Sequence, residues 1–150
     1  MNASAPFSRL STDTLHATCV ARDGRAVLLT GVSGSGKSDL ALRLLQQGFS
    51  LVSDDQTVIK RDGDRLLATA PTSIAGKLEV RGIGIVEMEM LSDVPVALIV
   101  ELLTDMERLP DDGRARDLLG ISIPLVTIDA RTASAPAKVI VALNHMGLKL

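Results

Sequence analysis

Eight residues at positions 31–38, Gly-Val-Ser-Gly-Ser-Gly-Lys-Ser, limit the fold of this chain more than any other segment. They match the pattern G-x-x-x-x-G-K-[ST]. An apolar run, Ala26–Leu29, precedes them, and the segment Lys37–Gln47 that follows has apolar residues at helical spacing. Gly48 is suited to end that helix. A strand, a glycine-rich turn and a helix in this order predict an α/β fold with a phosphate-binding loop (P-loop) at its core.

The residue types in this loop suit the binding of phosphate groups. Glycines let backbone N–H groups converge on phosphate oxygens, and the start of the next helix adds a partial positive charge. We expect Lys37 to reach the β- and γ-phosphates of a nucleotide and the Ser38 hydroxyl to ligate Mg²⁺. The predicted nucleotide-binding residues are Gly31, Ser33, Gly34, Ser35, Gly36, Lys37 and Ser38. The alternative is a chance glycine-rich turn, which the flanking strand and helix patterns disfavour.

The remaining sequence predicts short strands joined by tight turns. The steps Asp23-Gly24 and Asp62-Gly63 each indicate a hairpin. Pro136–Met146 is predicted to form the last helix, with proline in its first turn. The predicted strands are Leu15–Ala21, Arg25–Thr30, Phe49–Ser53, Thr57–Lys60, Arg65–Thr69, Val94–Leu103 and Pro124–Asp129. Strands and helices alternate too loosely for a pure βαβ series, so we expect a mixed sheet with flanking helices.

One charged segment has few candidate core residues. Asp105–Gly120 contains eight charged residues, all from Asp105 to Asp117. We therefore predict a mobile surface segment that closes with a short helix at Arg114–Leu119.

Two acidic residues are candidates for catalysis. Asp54 and Asp55 follow the strand that comes after the loop's helix, and ends of neighbouring strands share one crevice in such sheets. A carboxylate there can hold Mg²⁺ or accept a proton from an attacking hydroxyl. The alternative is a solvated turn before a hairpin. His16, in the strand before the loop's strand, is either part of this site or an ordinary buried histidine.

A second candidate segment is Lys77–Val86, which contains two closely spaced glycines. If the segment is extended, Glu79 and Arg81 lie on the same face. They then form either a surface ion pair or a site for phosphate and metal. The alternative is an edge strand with a bulge.

Composition narrows the possible functions. A length of 150 residues allows one domain, 1–150, with the first ten residues as a flexible lead-in. With two Phe, no Trp and no Tyr, the chain lacks stacking platforms for several nucleic-acid bases. A bound nucleotide base is expected to rest on aliphatic side chains and backbone, with weak base selectivity. The net charge of −2 predicts no binding to nucleic acid or to an anionic membrane.

The location in the cell is predicted from three further features. The start of the chain has no signal-peptide pattern, and the longest apolar stretch, Val94–Val100, is too short to span a bilayer. The single cysteine, Cys19, excludes an intrachain disulfide framework. We therefore expect a cytoplasmic protein.

Several motifs together resemble the C-terminal catalytic domain of the HPr kinase/phosphorylase family. They are the loop Gly31–Ser38, the segment Leu51-Val52-Ser53-Asp54-Asp55, and Leu78-Glu79-Val80-Arg81-Gly82-Ile83-Gly84-Ile85, in this order. His16, just ahead of the loop's strand, also matches. The resemblance extends from Thr14 to the C-terminus, and Glu79–Ile85 is its most specific part.

The resemblance implies a reaction and an assembly. The family uses ATP and Mg²⁺ to phosphorylate a serine of HPr, a small phosphocarrier of the sugar phosphotransferase system. It reverses that reaction with inorganic phosphate, which gives pyrophosphate. The implied fold is an α/β P-loop core similar to that of phosphoenolpyruvate carboxykinase, and the implied assembly is a hexamer.

The resemblance also implies roles for individual residues. Asp55 or its neighbour Asp54 matches the catalytic base, and His16 matches the residue that supports this carboxylate. Ser38 and Glu79 match the groups on the Mg²⁺ side. Arg108 resembles a basic residue on a mobile loop that favours phosphorolysis. An arginine-containing turn before the family's last helix corresponds here to Arg131.

The sequence departs from the family pattern in places. Val32 stands where the family usually has an acidic residue, and Asp39 stands where glutamate is common. The family's usual chain has an additional N-terminal domain, for which 150 residues leave no room, so we expect the catalytic core alone. Two other functions remain open. One is a nucleotide-responsive signalling module without catalysis, and the other is a P-loop kinase of small metabolites.

Overall fold

A computed structural model describes residues 11–103 and 114–150, in which three strands precede the first α-helix and eight strands separate it from the second. The strands are β1 (Thr12–Leu15), β2 (Ala17–Arg22), β3 (Arg25–Thr30), β4 (Ser50–Ser53), β5 (Thr57–Asp62), β6 (Arg65–Thr69), β7 (Lys77–Val80), β8 (Gly84–Glu87), β9 (Val94–Leu102), β10 (Ala115–Leu118) and β11 (Ile121–Ile128). The helices are α1 (Lys37–Leu45) and α2 (Ala135–Met146), and Thr72–Ile74 forms one 3₁₀ turn.

The main sheet is mixed, as the sequence predicted. Strand β3 is parallel to β9 on one side and antiparallel to β2 on the other. Strand β4 pairs with the far edge of β2, and β11 runs parallel to β9. Strands β6, β5 and β1 continue the sheet from the start of β9. The loop after β3 therefore opens between a β2–β4 side and a β9–β11 side.

The core has two parts because the central strands are buried on both faces. On β3, Val27 and Leu29 pack in one cluster with side chains of α1 and α2. Ala26 and Leu28 point to the opposite face and pack with side chains of β5 and β6. Cys19 lies in this second cluster, and complete burial raises the pKa of its thiol. Within the described residues, no helix is long and apolar enough to cross a membrane.

The predicted helix at Arg114–Leu119 is wrong. Ala115–Leu118 is strand β10, and it pairs antiparallel with β11. The turn between these strands has positive φ at Leu119 (51°) and Gly120 (84°), the backbone geometry that two-residue hairpin turns use. The stabilising partner is the neighbouring strand, with Leu118 buried against it. The rest of the predicted mobile segment, 105–113, lies outside the described residues, as do the first ten residues.

Candidate active site

The glycine-rich loop connects β3 to α1 and folds closely over itself. Gly31 has φ of +148°, and a Cβ there would lie 2.6 Å from the Ser35 hydroxyl oxygen. Gly36, the residue before α1, has φ of +100°. Both positions therefore favour glycine for conformation or space. The N–H of Ser35 donates to the carbonyl of Val32 at 3.0 Å. The loop thus places the first turn of α1, with its N–H groups, at the mouth of the loop.

Lys37 returns across this loop. Its side chain is largely buried, and its ammonium nitrogen donates to the carbonyl oxygens of Gly31 at 2.9 Å and Val32 at 3.2 Å. The amine is therefore positioned inside the loop. An anion bound by the backbone N–H groups of the loop would also contact this amine.

Asp54 is the polar centre of the site. The residue follows β4, and only 9% of it is exposed. Its Oδ1 accepts hydrogen bonds from the Ser38 hydroxyl at 2.6 Å and from the Thr18 hydroxyl at 3.1 Å. Its Oδ2 accepts the backbone N–H of Glu79 at 3.1 Å. One carboxylate therefore joins the loop helix, strand β2 and the β7–β8 hairpin.

Asp55 faces the other way. Its backbone has φ of +67°, a left-handed conformation that is uncommon outside glycine, and its N–H donates to the Thr18 hydroxyl at 3.1 Å. The side chain is 65% exposed, and its Oδ1 lies 2.8 Å from Nε2 of His16. Adjacent aspartates thus have different environments: one faces the loop's serine, and the other faces solvent beside an imidazole. The left-handed turn at Asp55 accompanies this separation.

His16 is not buried. The residue lies in the bend between β1 and β2, where the sequence predicted one continuous strand, and its side chain is 55% exposed. Its partner Asp55 is 39 positions away in the chain. The structure therefore brings together the two residues that the sequence analysis grouped, and it removes the alternative of an ordinary buried histidine.

Thr18 is the residue that sequence analysis missed. This threonine is fully buried in β2, and its hydroxyl contacts both acidic residues, as donor to Asp54 and as acceptor for the N–H of Asp55. The available signal is weak: Thr18 is a polar residue in a short strand that is otherwise apolar from Ala17 to Ala21. Threonine is common in strands for its branched shape alone, so the pattern gives no reason to expect this role.

We expect Thr18→Val to weaken the site without changing its shape. Removal of the hydroxyl leaves the N–H of Asp55 without its acceptor, and we expect a loss of about 1–3 kcal/mol in the free energy of unfolding. Because Asp55 is then held less well, kcat of a reaction that uses its carboxylate should fall about tenfold. Thermal unfolding and steady-state kinetics measure the two effects.

The matched control is Thr57→Val. Thr57 is also fully buried in a strand, and its hydroxyl donates to the carbonyl of Ala17 at 2.8 Å rather than to a carboxylate. We expect this variant to lose stability and to keep its kcat. A normal kcat in Thr18→Val, or an equal loss of kcat in both variants, would show that Thr18 has no positioning role.

Glu79 and Arg81 do not share one extended segment. The chain turns back at 81–83, where the N–H of Ile83 donates to the carbonyl of Val80 at 3.0 Å, so β7 and β8 form a hairpin. Glu79 ends up beside Asp54 through its backbone, with its side chain exposed, whereas Arg81 lies in the turn. The expectation of a common face is wrong because Gly82 and Gly84 take positive φ and reverse the chain.

The oxygen atoms at this site suit a hard divalent cation. The described residues contain no cluster of three or more histidine, cysteine or acidic side chains that could hold a metal by itself. Mg²⁺ does not need such a cluster, since one or two carboxylates together with substrate phosphates are its usual ligands. Ser38 Oγ and the Asp54 carboxylate lie 2.6 Å apart next to the loop. These residues fit Mg²⁺ bound together with a nucleotide phosphate.

A cavity of about 350 Å³ lies on the other side of the loop. Its walls are formed by residues 32–36 and Asp39, and by Leu103, Ala130 and Arg131. Arg108 lies outside the described residues. Apart from Gly31 and Lys37, which lie within the loop, the other predicted site residues fall into two groups. His16, Ser38, Asp54, Asp55 and Glu79 meet on the β2–β4 side, and Ser33, Gly34, Ser35 and Gly36 line the cavity.

Known proteins match this chain over nearly its whole length. Residues 8–149 match the family model described as HPr Serine kinase C-terminal domain. An HPr kinase/phosphorylase from Alkaliphilus metalliredigens is 38% identical over an alignment 154 residues long, gaps included. The alignment covers 93% of this chain and 50% of that protein. An HPr kinase/phosphorylase from Chlorobium limicola is 37% identical over 147 residues, which cover 87% of this chain and 44% of the relative. The chain thus spans half or less of the length of these two relatives.

A solved structure has the same fold. The structure of the Hpr(Ser) kinase/phosphatase from Coxiella burnetii matches with a TM-score of 0.78 at 27% sequence identity, and the match covers 88% of each chain. Together with the family match over residues 8–149, this establishes that the chain belongs to the HPr kinase/phosphorylase family, whose C-terminal domain it contains.

Proposed function

We propose that this chain transfers the γ-phosphoryl group of ATP to a serine of an HPr-like protein, and that it also removes the group by phosphorolysis. The main support is the placement of Asp54 against Ser38 of the loop, with the exposed Asp55–His16 pair directly beside it. This arrangement provides a place for phosphates, ligands for a cation and a proton acceptor open to solvent. The names of the relatives, HPr kinase/phosphorylase, support the choice of substrate.

The phosphate end of the nucleotide is bound by the loop. Backbone N–H groups of 31–38 and the Lys37 ammonium hold the β- and γ-phosphate oxygens. Ser38 and Asp54 would hold Mg²⁺, with Glu79 at the rim of the same site. When bound, the cation neutralises negative charge on the phosphate oxygens. These residues align the γ-phosphorus with the incoming hydroxyl.

Asp55 is the proposed catalytic base. A serine hydroxyl is a weak nucleophile, so its proton must be accepted as its oxygen attacks the γ-phosphorus. The bond from the serine oxygen to phosphorus forms, the bond from phosphorus to the β–γ bridging oxygen breaks, and ADP leaves with the bonding electrons. His16, at 2.8 Å from Asp55, fixes the orientation of the carboxylate.

The reverse direction uses the same residues. An oxygen of inorganic phosphate attacks the phosphorus of phosphoserine, and the bond from phosphorus to the serine oxygen breaks. Asp55, protonated in this direction, donates its proton to the departing serine oxygen, and pyrophosphate is formed. The bond between phosphorus and the serine oxygen is the one that forms in transfer and breaks in phosphorolysis, so the group that accepts the serine proton in the first reaction is placed to supply it in the second. Arg108 is proposed to favour this direction, on the strength of the family resemblance alone.

The test is phosphoryl transfer by the purified chain. With labelled ATP, Mg²⁺ and an HPr-like protein, we expect label on one serine, and none when that serine is replaced by alanine in the acceptor. Addition of phosphate to the labelled acceptor should release pyrophosphate. ATP binding without transfer would contradict the proposal and favour a non-catalytic signalling module. ATP consumption with small hydroxyl compounds, but not with the protein acceptor, would favour a metabolite kinase.

A further inference from the structure

The two ends of the loop crevice differ in chemistry. The acidic residues follow β4, on one side of the loop's strand, whereas Ala130 and Arg131 follow β11 on the other side. The cavity of about 350 Å³ opens on this second side, and its lining contains neither Asp54 nor Asp55. A nucleotide whose γ-phosphate lies at Asp55 therefore extends its base toward Arg131. This step rests on the proposed function, because it uses the direction of phosphoryl transfer.

Arg131 is held in a fixed plane by Asp129. The guanidinium donates from Nε to Oδ1 at 2.9 Å and from Nη2 to Oδ2 at 3.0 Å, and the backbone N–H of Arg131 donates to Oδ1 at 2.9 Å. Two parallel bonds of this kind fix the orientation of the guanidinium plane as well as its position. Although paired in this way, the Arg131 side chain remains 59% exposed, at the wall of the cavity.

The turn that contains Arg131 is fastened to the loop's helix. Arg43 of α1 donates to the carbonyl oxygens of Ala130 and Thr132, on both sides of Arg131. Arg43 also pairs with Asp39, one turn earlier on α1, at 3.2 Å. Ala130 packs against Gly36, where an added Cβ would lie 3.3 Å from the Ala130 Cβ. The distance between the phosphate loop and the guanidinium is therefore set by contacts within the protein.

The other walls of the cavity suit a flat apolar ring. Val32 is 61% exposed although it is apolar, and Leu103 contributes a second apolar side chain. Among the described residues, the aromatic side chain is Phe49, which is only 5% exposed and packs in the core. Because no aromatic ring reaches this cavity from the described part of the chain, the guanidinium of Arg131 is the planar group available to a base. Guanidinium groups stack on such rings.

We propose that the purine base of the bound nucleotide stacks on Arg131, oriented by Asp129, with Val32 as the opposing apolar surface. Stacking recognises the face of a ring and not the donors and acceptors at its edge, so the site should accept ATP and GTP alike. The composition predicts that aliphatic side chains and backbone hold the base, and the proposed contact adds a planar cation to them.

The test distinguishes binding of the base from binding of the phosphate groups. Binding of Mg·ATP and of Mg·tripolyphosphate, which has no base, is measured by calorimetric titration for the unmodified chain and for Arg131→Lys. Lysine keeps the positive charge but lacks the planar guanidinium group. We expect ATP and GTP to bind about tenfold more weakly to the variant, and tripolyphosphate to bind unchanged. Asp129→Asn should give a smaller loss, again confined to the nucleotides.

The matched control is Arg65→Lys. Arg65 pairs with Asp62 near the β5–β6 turn, and it is partly exposed like Arg131. This variant should bind all three ligands normally. Equal losses of ATP and tripolyphosphate in Arg131→Lys would overturn the proposal and assign the guanidinium to phosphate. Unchanged ATP binding would overturn it too. If the unmodified chain transfers phosphate to HPr normally, either of these two results leaves the proposed function standing. If the unmodified chain does not bind ATP, the stacking proposal and the proposed function both fail.

Discussion

Asp55→Asn should abolish serine phosphorylation and leave ATP bound. The amide has the size of the carboxylate but cannot accept the proton of the serine hydroxyl, so the rate of transfer should fall by about 10²–10⁴-fold. ATP affinity should stay within about twofold, because in the proposed site the loop and Lys37 hold the phosphate groups, and Asp55 is the acceptor of the serine proton beside the γ-phosphate. Single-turnover transfer from labelled ATP measures the first quantity, and titration with ATP measures the second.

Two comparisons make this result specific. Asp64→Asn changes an exposed aspartate in the β5–β6 turn and should keep full activity. His16→Ala removes the 2.8 Å partner of Asp55 and should lower the rate less than Asp55→Asn, because the carboxylate itself remains. Retention of transfer in Asp55→Asn would show that another group accepts the proton. A loss of ATP affinity equal to the loss of rate would place Asp55 in nucleotide binding instead.

Asp54→Ala should be the most destabilising change at the site. The substitution removes the acceptor of three donors, the hydroxyls of Ser38 and Thr18 and the N–H of Glu79. Thr18 is fully buried, so its hydroxyl loses a partner where water does not replace it. We expect a loss of about 3 kcal/mol in the free energy of unfolding and a melting temperature lower by about 10 °C. Calorimetry or circular dichroism follows the transition.

Asp54→Asn separates structure from catalysis. The asparagine keeps one side-chain oxygen as an acceptor and preserves the volume, so we expect it to recover more than half of the stability that alanine loses. Its neutral amide is a poor ligand for Mg²⁺, and we expect transfer to remain about 100-fold below that of the unmodified chain. Full activity in Asp54→Asn, with an unchanged dependence on Mg²⁺ concentration, would contradict the assignment of Asp54 to the cation side.

Local patterns in the sequence predicted most of the elements and the loop. The apolar run before Gly31 and the helical spacing after Lys37 are signals within a dozen residues, and the structure places β3 and α1 there. The hairpin at Asp23-Gly24 is confirmed in the same way. Such features depend on neighbours in the chain, so a single sequence contains enough information for them.

The errors occurred where distant partners decide the structure. Strand β10 exists because β11 offers an edge to pair with, and its own four residues, Ala115–Leu118, have no strand pattern. Thr18 acquires its role from Asp54 and Asp55, more than 35 positions away in the chain. The separate environments of the two aspartates depend on the left-handed backbone at Asp55, which the letters Asp-Asp do not indicate. Long-range contacts of this kind follow only from the assembled fold.

The sharing of one carboxylate by three elements also constrains how this site can change over generations. Thr18, Ser38 and the strand that contains Glu79 each have Asp54 as a common partner. Effects of substitutions at positions that share a partner do not add, since the first loss alters what the second can remove. A lineage that replaced Asp54 would lose one of the two reasons to keep a hydroxyl at Thr18, whose other contact is the N–H of Asp55. These positions are therefore expected to be inherited or abandoned as a group.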